Sequence, residues 1–278
     1  MDLVAEQCRR NMMADDTWAL YSAHRARVTK TLLEARTDSV ERLCLLGAGN
    51  LNDFDLKTLL NSFREIVLVD LDVDALRRGL TRQDLAGDVR LRIAAPVDVC
   101  GVFGELTELV KGQADEAAIE SCLRSLSQTP DIGWKGSCDV VASVGLLTQL
   151  IEGVTRIIGE SHPRFWEVVA ALRIQHLRLM LELASPGGAV VLVTEVVSSD
   201  SCPALLSVTE SQLTELLRRE IGARNFFTGT NPAAMQKLLR TEVSLAGQLV
   251  SDRFSEPWLW TFPARTYAVY AVTMRKCG

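Results

Sequence analysis

Apolar residues that run on without alternating are the feature that most narrows what this chain can fold into. Four segments have it: "RLCLLGAG" (42–49), "EIVLVDLD" (65–72), "CDVVASVGLL" (138–147) and "GGAVVLVTEVV" (187–197). A strand with one wet face alternates polar and apolar residues, so unbroken apolar strands belong to a parallel sheet covered on both faces. Helical stretches lie between them. Leu56, Leu59, Leu60 and Phe63 fall at helical spacing in "DLKTLLNSF" (55–63), and "VDALRRGL" (73–80) is helical again. "VRLRIAAPVDV" (89–99) supplies a further strand that Pro96 helps to end. Strands and helices in this alternation predict an α/β fold with a doubly wound, mostly parallel sheet.

Two regions break the simple repeat. Residues 17–36, "TWALYSAHRARVTKTLLEAR", predict a helix ahead of the first strand, with Trp18, Tyr21, Val28 and Leu32 on one face and Arg25 on the same stripe. Residues 1–39 are therefore expected to form an N-terminal helical cap. Residues 40–278 are expected as one domain, with a helical insertion at about 101–136 that breaks near Gly112. "SHPRFWEVVAALRIQHLRLMLELA" (161–184) is a strong helix closed by "SPGG", and His176 lies on its apolar stripe as a satisfied core histidine rather than a ligand. Thr209 caps a helix over 208–222, and Pro232 opens one over 232–243. "PWLWTFPARTYAVYAVTMRK" (257–276) reads as two extended segments, able to add an antiparallel hairpin to the sheet's edge.

Charge and cysteine usage bound the partners. A net charge of −5 with no dense Lys/Arg block argues against a chain built to hold a nucleic-acid backbone. The seven cysteines are dispersed, without C-x-x-C, and the three histidines show no metal-ligand spacing, so reduced thiols and no metal are expected. The first residues lack the apolar core of a signal peptide, and no run reaches the roughly 18 apolar residues that a membrane span needs. A cytoplasmic protein that binds neither nucleic acid nor membrane is the expectation.

The turn after the first strand carries the chemistry. Gly47 and Gly49 would let a ligand approach the backbone at the mouth of a helix. A dinucleotide would want G-x-G-x-x-G, yet the third position is Asn52, and Asp53 and Asp55 would repel a pyrophosphate with no lysine or arginine nearby. Acceptors such as Asn50, Asn52, Asp53 and Asp55 suit a ligand end that carries an ammonium or sulfonium centre. Asp70 closes the second strand 21 residues after Gly49, where a carboxylate accepts ribose hydroxyls; the other reading makes Asp70 or Asp72 the cap of the following helix. Asp98 follows the third strand, and Ser143 and Gly145 lie at the end of the fourth.

In order, "CLLGAGNLND", "EIVLVDLD", "PVDV" and "CDVVASVGLL" resemble the successive cofactor motifs of class I S-adenosylmethionine-dependent methyltransferases, over roughly residues 40–200. The closing "TYAVYAVTMRK" is similar to that family's last strand. The resemblance implies a Rossmann-like, mostly parallel seven-stranded sheet with an antiparallel C-terminal strand, S-adenosylmethionine as cofactor, and methyl transfer. It implies that Gly47, Ala48 and Gly49 lie under the methionine portion, and that Asp70 with Leu71 holds the ribose. Asp98 with Val99 would face the adenine amine, and Ser143, Val144 and Gly145 would line the transfer site. Leu45 stands where the family often has an acid and Leu51 where it often has a third glycine, with Asn52 and Asp53 as substitutes for holding the methionine tail.

The same resemblance implies that the helix before the sheet folds over the cofactor. Arg25, on an apolar stripe, needs an anionic partner if buried: the cofactor's carboxylate or an Asp or Glu of the protein. Tyr21 and His24 would line the acceptor pocket, with aromatic packing as the other role for Tyr21. A positive sulfur already activates its methyl group, so a general base is optional; His24 and Glu195, at the fifth strand's end, are the candidates. "SVGLLTQL" resembles the family's small-molecule members, and "FSEPWLWTF" would help to shape a pocket for a modest apolar or aromatic acceptor. Two alternatives stay open: aminocarboxypropyl transfer of the nicotianamine-synthase type with the same cofactor, and a non-catalytic cofactor-binding or interaction module. Neither monomer nor homodimer is fixed by the sequence.

Overall fold

The computed structural model describes residues 3–36, 41–104, 115–262 and 265–278. The expected domain boundary at 39/40 and the expected helix break near Gly112 lie outside the described residues. Among the described residues eight strands form one sheet: β1 (Arg42–Leu46), β2 (Glu65–Val69), β3 (Leu91–Ala94), β4 (Cys138–Val144), β5 (Ala184–Ser198), β6 (Leu249–Phe254), β7 (Trp258–Thr261) and β8 (Thr266–Lys276). Their order is β3-β2-β1-β4-β5-β8-β6, with β7 also paired to β8. The first five are mutually parallel, and β8 runs antiparallel to β5, β6 and β7.

The helices described from end to end are α1 (Leu3–Met13), α2 (Ser22–Glu34), α3 (Leu56–Leu60), α4 (Val73–Arg82), α5 (Glu116–Leu126), α6 (Leu146–Ile158), α7 (Phe165–Leu183), α8 (Glu210–Gly222), α9 (Pro232–Thr241) and α10 (Val243–Ala246). A 3₁₀ turn over Asp15–Tyr21 joins α1 to α2, so the single helix expected over 17–36 begins instead as this tighter turn. Asp72 caps α4 by accepting from the Asp74 and Ala75 N–H groups at 3.1 and 2.9 Å. Asp70 is left free of that task.

The sheet has the expected seven positions, and eight strands fill them for a local reason. β6 and β7 both lie along β8, Phe254 opposite Val272 and Trp258 opposite Val269. They are one edge strand broken at residues 255–257, where β7's side of the ladder holds one residue more than its partner and Pro257 has no N–H to give. Seven strand positions are thus filled by eight strands.

Both faces of the sheet are covered. Along β1, Cys44 and Leu46 join the core beneath α6 and α7, while Leu43 and Leu45 join the core beneath α2, α3 and α4. That period of two is what a parallel strand buried on both sides requires. Each fully buried leucine contributes about 1.5–3 kcal/mol, so the continuous apolar runs seen in the sequence are the scaffold that fixes the strand ends.

Candidate functional site

The strand ends meet a cavity of about 740 Å³, inside the range of small-molecule sites. β1 stops at Leu46, and the N–H groups of Gly47 and Ala48 both donate to the Val69 carbonyl, at 2.9 and 3.1 Å. Gly47 and Gly49 have φ of +66° and +51°, a left-handed backbone that glycine adopts without penalty. A Cβ at Gly47 would come within 2.7 Å of Leu146. Leu51, at the position of the family's third glycine, is itself left-handed at φ +60°, a conformation that costs a side-chain-bearing residue about 1–2 kcal/mol. Its fully buried side chain offsets that cost.

Asp70 sits at the centre of this turn. Its Oδ2 accepts from the Gly49 N–H at 2.7 Å and its Oδ1 from the Asp72 N–H at 2.8 Å. Burial pushes its carboxyl above the ordinary aspartate value, and those two backbone bonds pull it back. Beyond it, Leu71, Val97, Asp98, Val99 and Phe103 line one end of the cavity. The Asp98 carboxylate accepts from the Cys100 and Phe103 N–H groups at 3.0 and 2.8 Å, which fixes its orientation.

The opposite end is acidic and aromatic. Asp53, Glu195 and Thr148 line it with Tyr21, Phe227, Trp260, Phe262 and Tyr267. Glu195 is buried and receives a hydrogen bond from the Thr148 hydroxyl. Desolvation pushes its carboxyl up to about 7; Thr148 works against this, and the charges of Asp53 and Glu152 add to it. Burial raises the Tyr21 hydroxyl well beyond the usual phenol range, with Asp53 and Glu195 contributing. Around the whole cavity six carboxylates (Asp53, Asp70, Asp98, Glu152, Glu160, Glu195) face three guanidiniums (Arg10, Arg156, Arg265). Those three are already paired, with Glu6, Glu152 and Asp200.

Of the residues singled out from the sequence, Tyr21, Gly47, Ala48, Gly49, Asp53, Asp70, Leu71, Asp98, Val99, Val144, Gly145 and Glu195 line this cavity. Four others lie behind its wall. His24 is buried; its Nδ1 accepts from the Trp258 indole N–H at 3.1 Å, which leaves the proton on Nε2, 3.3 Å from Asp53 Oδ1. It therefore reaches the cavity through Asp53 and through Trp260, on which its ring stacks at 4.4 Å. Arg25 stacks on Trp18 at 3.5 Å and donates to the Trp18 and Asn52 carbonyls. Asn52 donates to the Ala14 carbonyl at 2.8 Å and accepts from Arg82 at 2.9 Å.

Ser143 is fully buried, with its hydroxyl 2.9 Å from His176 Nε2. Burial lowers His176 to about 4, so this imidazole is neutral at pH 7. Ser143→Ala would strip the ring of its hydrogen-bond partner and is expected to destabilise the protein by about 1–3 kcal/mol, read from urea unfolding. An unchanged midpoint would mean that the pair contributes nothing.

Residues not foreseen come mainly from α1 and α6. Gln7, Arg10 and Asn11 line the cavity from α1. Asn11 ties that helix down: its Nδ2 donates to Asp72 at 3.1 Å, and its carbonyl accepts from Asn50 at 2.9 Å. The sequence "LVAEQCRRNMM" carries only a thin apolar line, and its Val4 and Met12 are exposed, so it does not point to the face that docks. Thr148 and Gln149 enter from the first turn of α6, the stretch "LLTQL" noted only for its likeness to small-molecule enzymes.

No protein-family model matches the chain, and no curated protein matches it in sequence. Solved structures do. Phosphoethanolamine N-methyltransferase 2 of Haemonchus contortus, solved with phosphomonomethylethanolamine and S-adenosylhomocysteine, superposes with a TM-score of 0.54 at 10% identity, over 99% of this chain and 60% of that one. An O-methyltransferase family protein of Burkholderia thailandensis gives 0.48 at 16% identity, over 99% and 62%. The N-methyltransferase NodS of Bradyrhizobium japonicum with S-adenosylhomocysteine gives 0.46 at 12%, over 99% of each chain. Sheet order, antiparallel C-terminal strands and N-terminal helices together are the Rossmann-like fold of class I methyltransferases.

Proposed function

We propose that this protein takes the methyl group of S-adenosylmethionine and passes it to a small molecule. The observation that carries this reading is the Asp70 carboxylate. It is buried at the end of β2, bonded to the Gly49 N–H, and opens on the crevice beside β1 and β4, where the strand order reverses. That is the position at which open α/β sheets bind nucleosides.

The residues present fit the cofactor. The Asp70 oxygens accept the Gly49 and Asp72 N–H groups and keep lone-pair capacity for a ribose hydroxyl. Gly47 and Gly49 let the methionine portion lie against bare backbone, and Asp53 meets its ammonium. Asp98, with Leu71 and Val99, bounds the adenine. The excess of carboxylates suits a cationic amino-acid end and repels a diphosphate, which disfavours a nicotinamide dinucleotide.

When bound, the cofactor supplies an electrophilic methyl on positive sulfur. The chain's own residues do the rest. His24 holds Asp53 in orientation, Arg25 and Asn52 fasten the turn, and α1 with its 3₁₀ extension keeps water out while the acceptor is aligned.

Calorimetric titration with S-adenosylhomocysteine and NAD tests the reading. The wild type is expected to bind the first and not the second. Asp70→Asn keeps one acceptor oxygen for the backbone and removes the charge, so affinity is expected to fall at least about tenfold. Binding of NAD alone would overturn the proposal.

A further inference from the structure

The acid and aromatic end of the cavity has a chemistry of its own. Tyr21, Trp260, Phe262 and Tyr267 form a continuous ring cluster, with Trp260 at its centre: 5.2 Å from Tyr21, 4.7 Å from Phe262 and 5.4 Å from Tyr267 between centroids. All four line the cavity beside Glu195 and Asp53. Glu195 is buried and has no cationic partner among the described residues, while Asp53 Oδ1 faces His24 Nε2 at 3.3 Å. The one guanidinium at this end, Arg265, is held by Asp200 and the Tyr267 hydroxyl. Ring faces and a buried carboxylate without a cation attract the same thing, a desolvated cation.

From this juxtaposition we infer that the acceptor is an amine, protonated in solution, whose nitrogen binds at Glu195 and whose apolar body packs on Trp260. The inference rests on the methyl-transfer reading. An anionic acceptor such as a thiolate or phenolate meets repulsion here, and a neutral hydroxyl offers the buried carboxylate a hydrogen bond but no positive charge. Glu195 also answers what the reaction asks of an ammonium. The N–H proton passes to the Glu195 carboxylate, which frees the nitrogen lone pair. That lone pair takes the methyl carbon as the carbon–sulfur bond breaks and its electron pair stays on sulfur. The product leaves as the N-methylated ammonium, and the proton on Glu195 goes to solvent. Thr148, Asp53, Glu152, Tyr21 and Tyr267 are the polar and titratable groups that act on Glu195, and none supplies a positive charge.

The test is calorimetric titration of the protein, saturated with S-adenosylhomocysteine, with primary amines from methylamine to 2-phenylethylamine, each matched to its alcohol. Saturation fills the cofactor's own ammonium site, so amine uptake reports the acceptor end. The larger amines are expected to bind at least about tenfold more tightly than their alcohols. Glu195→Gln is expected to erase that preference and leave S-adenosylhomocysteine binding unchanged, and Trp260→Leu to weaken the aromatic amine more than the short one. Equal affinity for amines and alcohols, or an amine preference that survives Glu195→Gln, would overturn the inference. If S-adenosylhomocysteine itself does not bind, the methyl-transfer reading fails; the same amine series on the free protein then still tests the cation site.

Discussion

Replacing Gly79 by alanine is expected to destabilise the protein by about 1–3 kcal/mol and to weaken S-adenosylhomocysteine binding about tenfold. On an open helix the same change would stabilise by about 0.5–1 kcal/mol, because glycine loses more backbone freedom than alanine on folding. Here the sign reverses. Gly79 is buried in the middle of α4, and a Cβ there would come 2.5 Å from the Asn50 carbonyl oxygen, 2.8 Å from its carbon and 3.0 Å from the Leu51 Cβ. Two of those atoms are backbone and cannot swing aside. Either α4 or the turn must move, and the turn carries the Gly49 N–H that Asp70 accepts. Urea unfolding and calorimetry read the two effects. A gain in stability of the size propensity dictates would refute the close approach.

Glu195→Gln is expected to stabilise the protein above pH 7 by about 3 kcal/mol and to leave its stability nearly unchanged at pH 4. The folded carboxyl titrates at about 7 against an ordinary 4.5. Between those values the native state keeps a proton that the unfolded chain has released. Wild-type stability from this group is therefore complete below pH 4.5 and is lost as pH rises through 7. Glutamine carries no such dependence. Urea unfolding of both proteins at pH 4 and pH 8 decides it, and an equal difference at the two values would refute the buried charge. This variant separates roles, since a protein that folds better and yet loses amine selectivity has lost a ligand contact and not its fold.

The sheet could be read in advance because burial on both faces demands continuous apolar residues, and β1, β2, β4 and β5 have them. Strand parity could have been used further. Ser143 shares its face with Val141, in the core beneath α7, so its hydroxyl turns towards His176 and away from the cavity. The ends of strands placed Gly47, Asp70, Asp98 and Glu195 together because topology alone brings those ends to one side. The α1 contribution was hidden for a physical reason. That helix is held by polar bonds to Asp72 and Asn50, which leave no periodic signature. The three-residue break between β6 and β7 was equally silent, since Pro257 ends a strand without saying that another begins beside the same partner.

The way α1 is held has an energetic consequence. Of residues 4–13 only Asn11 is buried, and its bonds to Asp72 and Asn50 join the ion pairs of Glu6 and Arg10 in tying the helix to the rest of the protein. Lifting it uncovers little apolar surface, and the bonds surrendered are worth only about 0.5–1.5 kcal/mol each. Such an element opens locally at a small fraction of the free energy that melts the sheet. The rigid half of the cavity and its yielding half therefore belong to different scales of stability, and exchange of bound molecules can proceed through the second without disturbing the first.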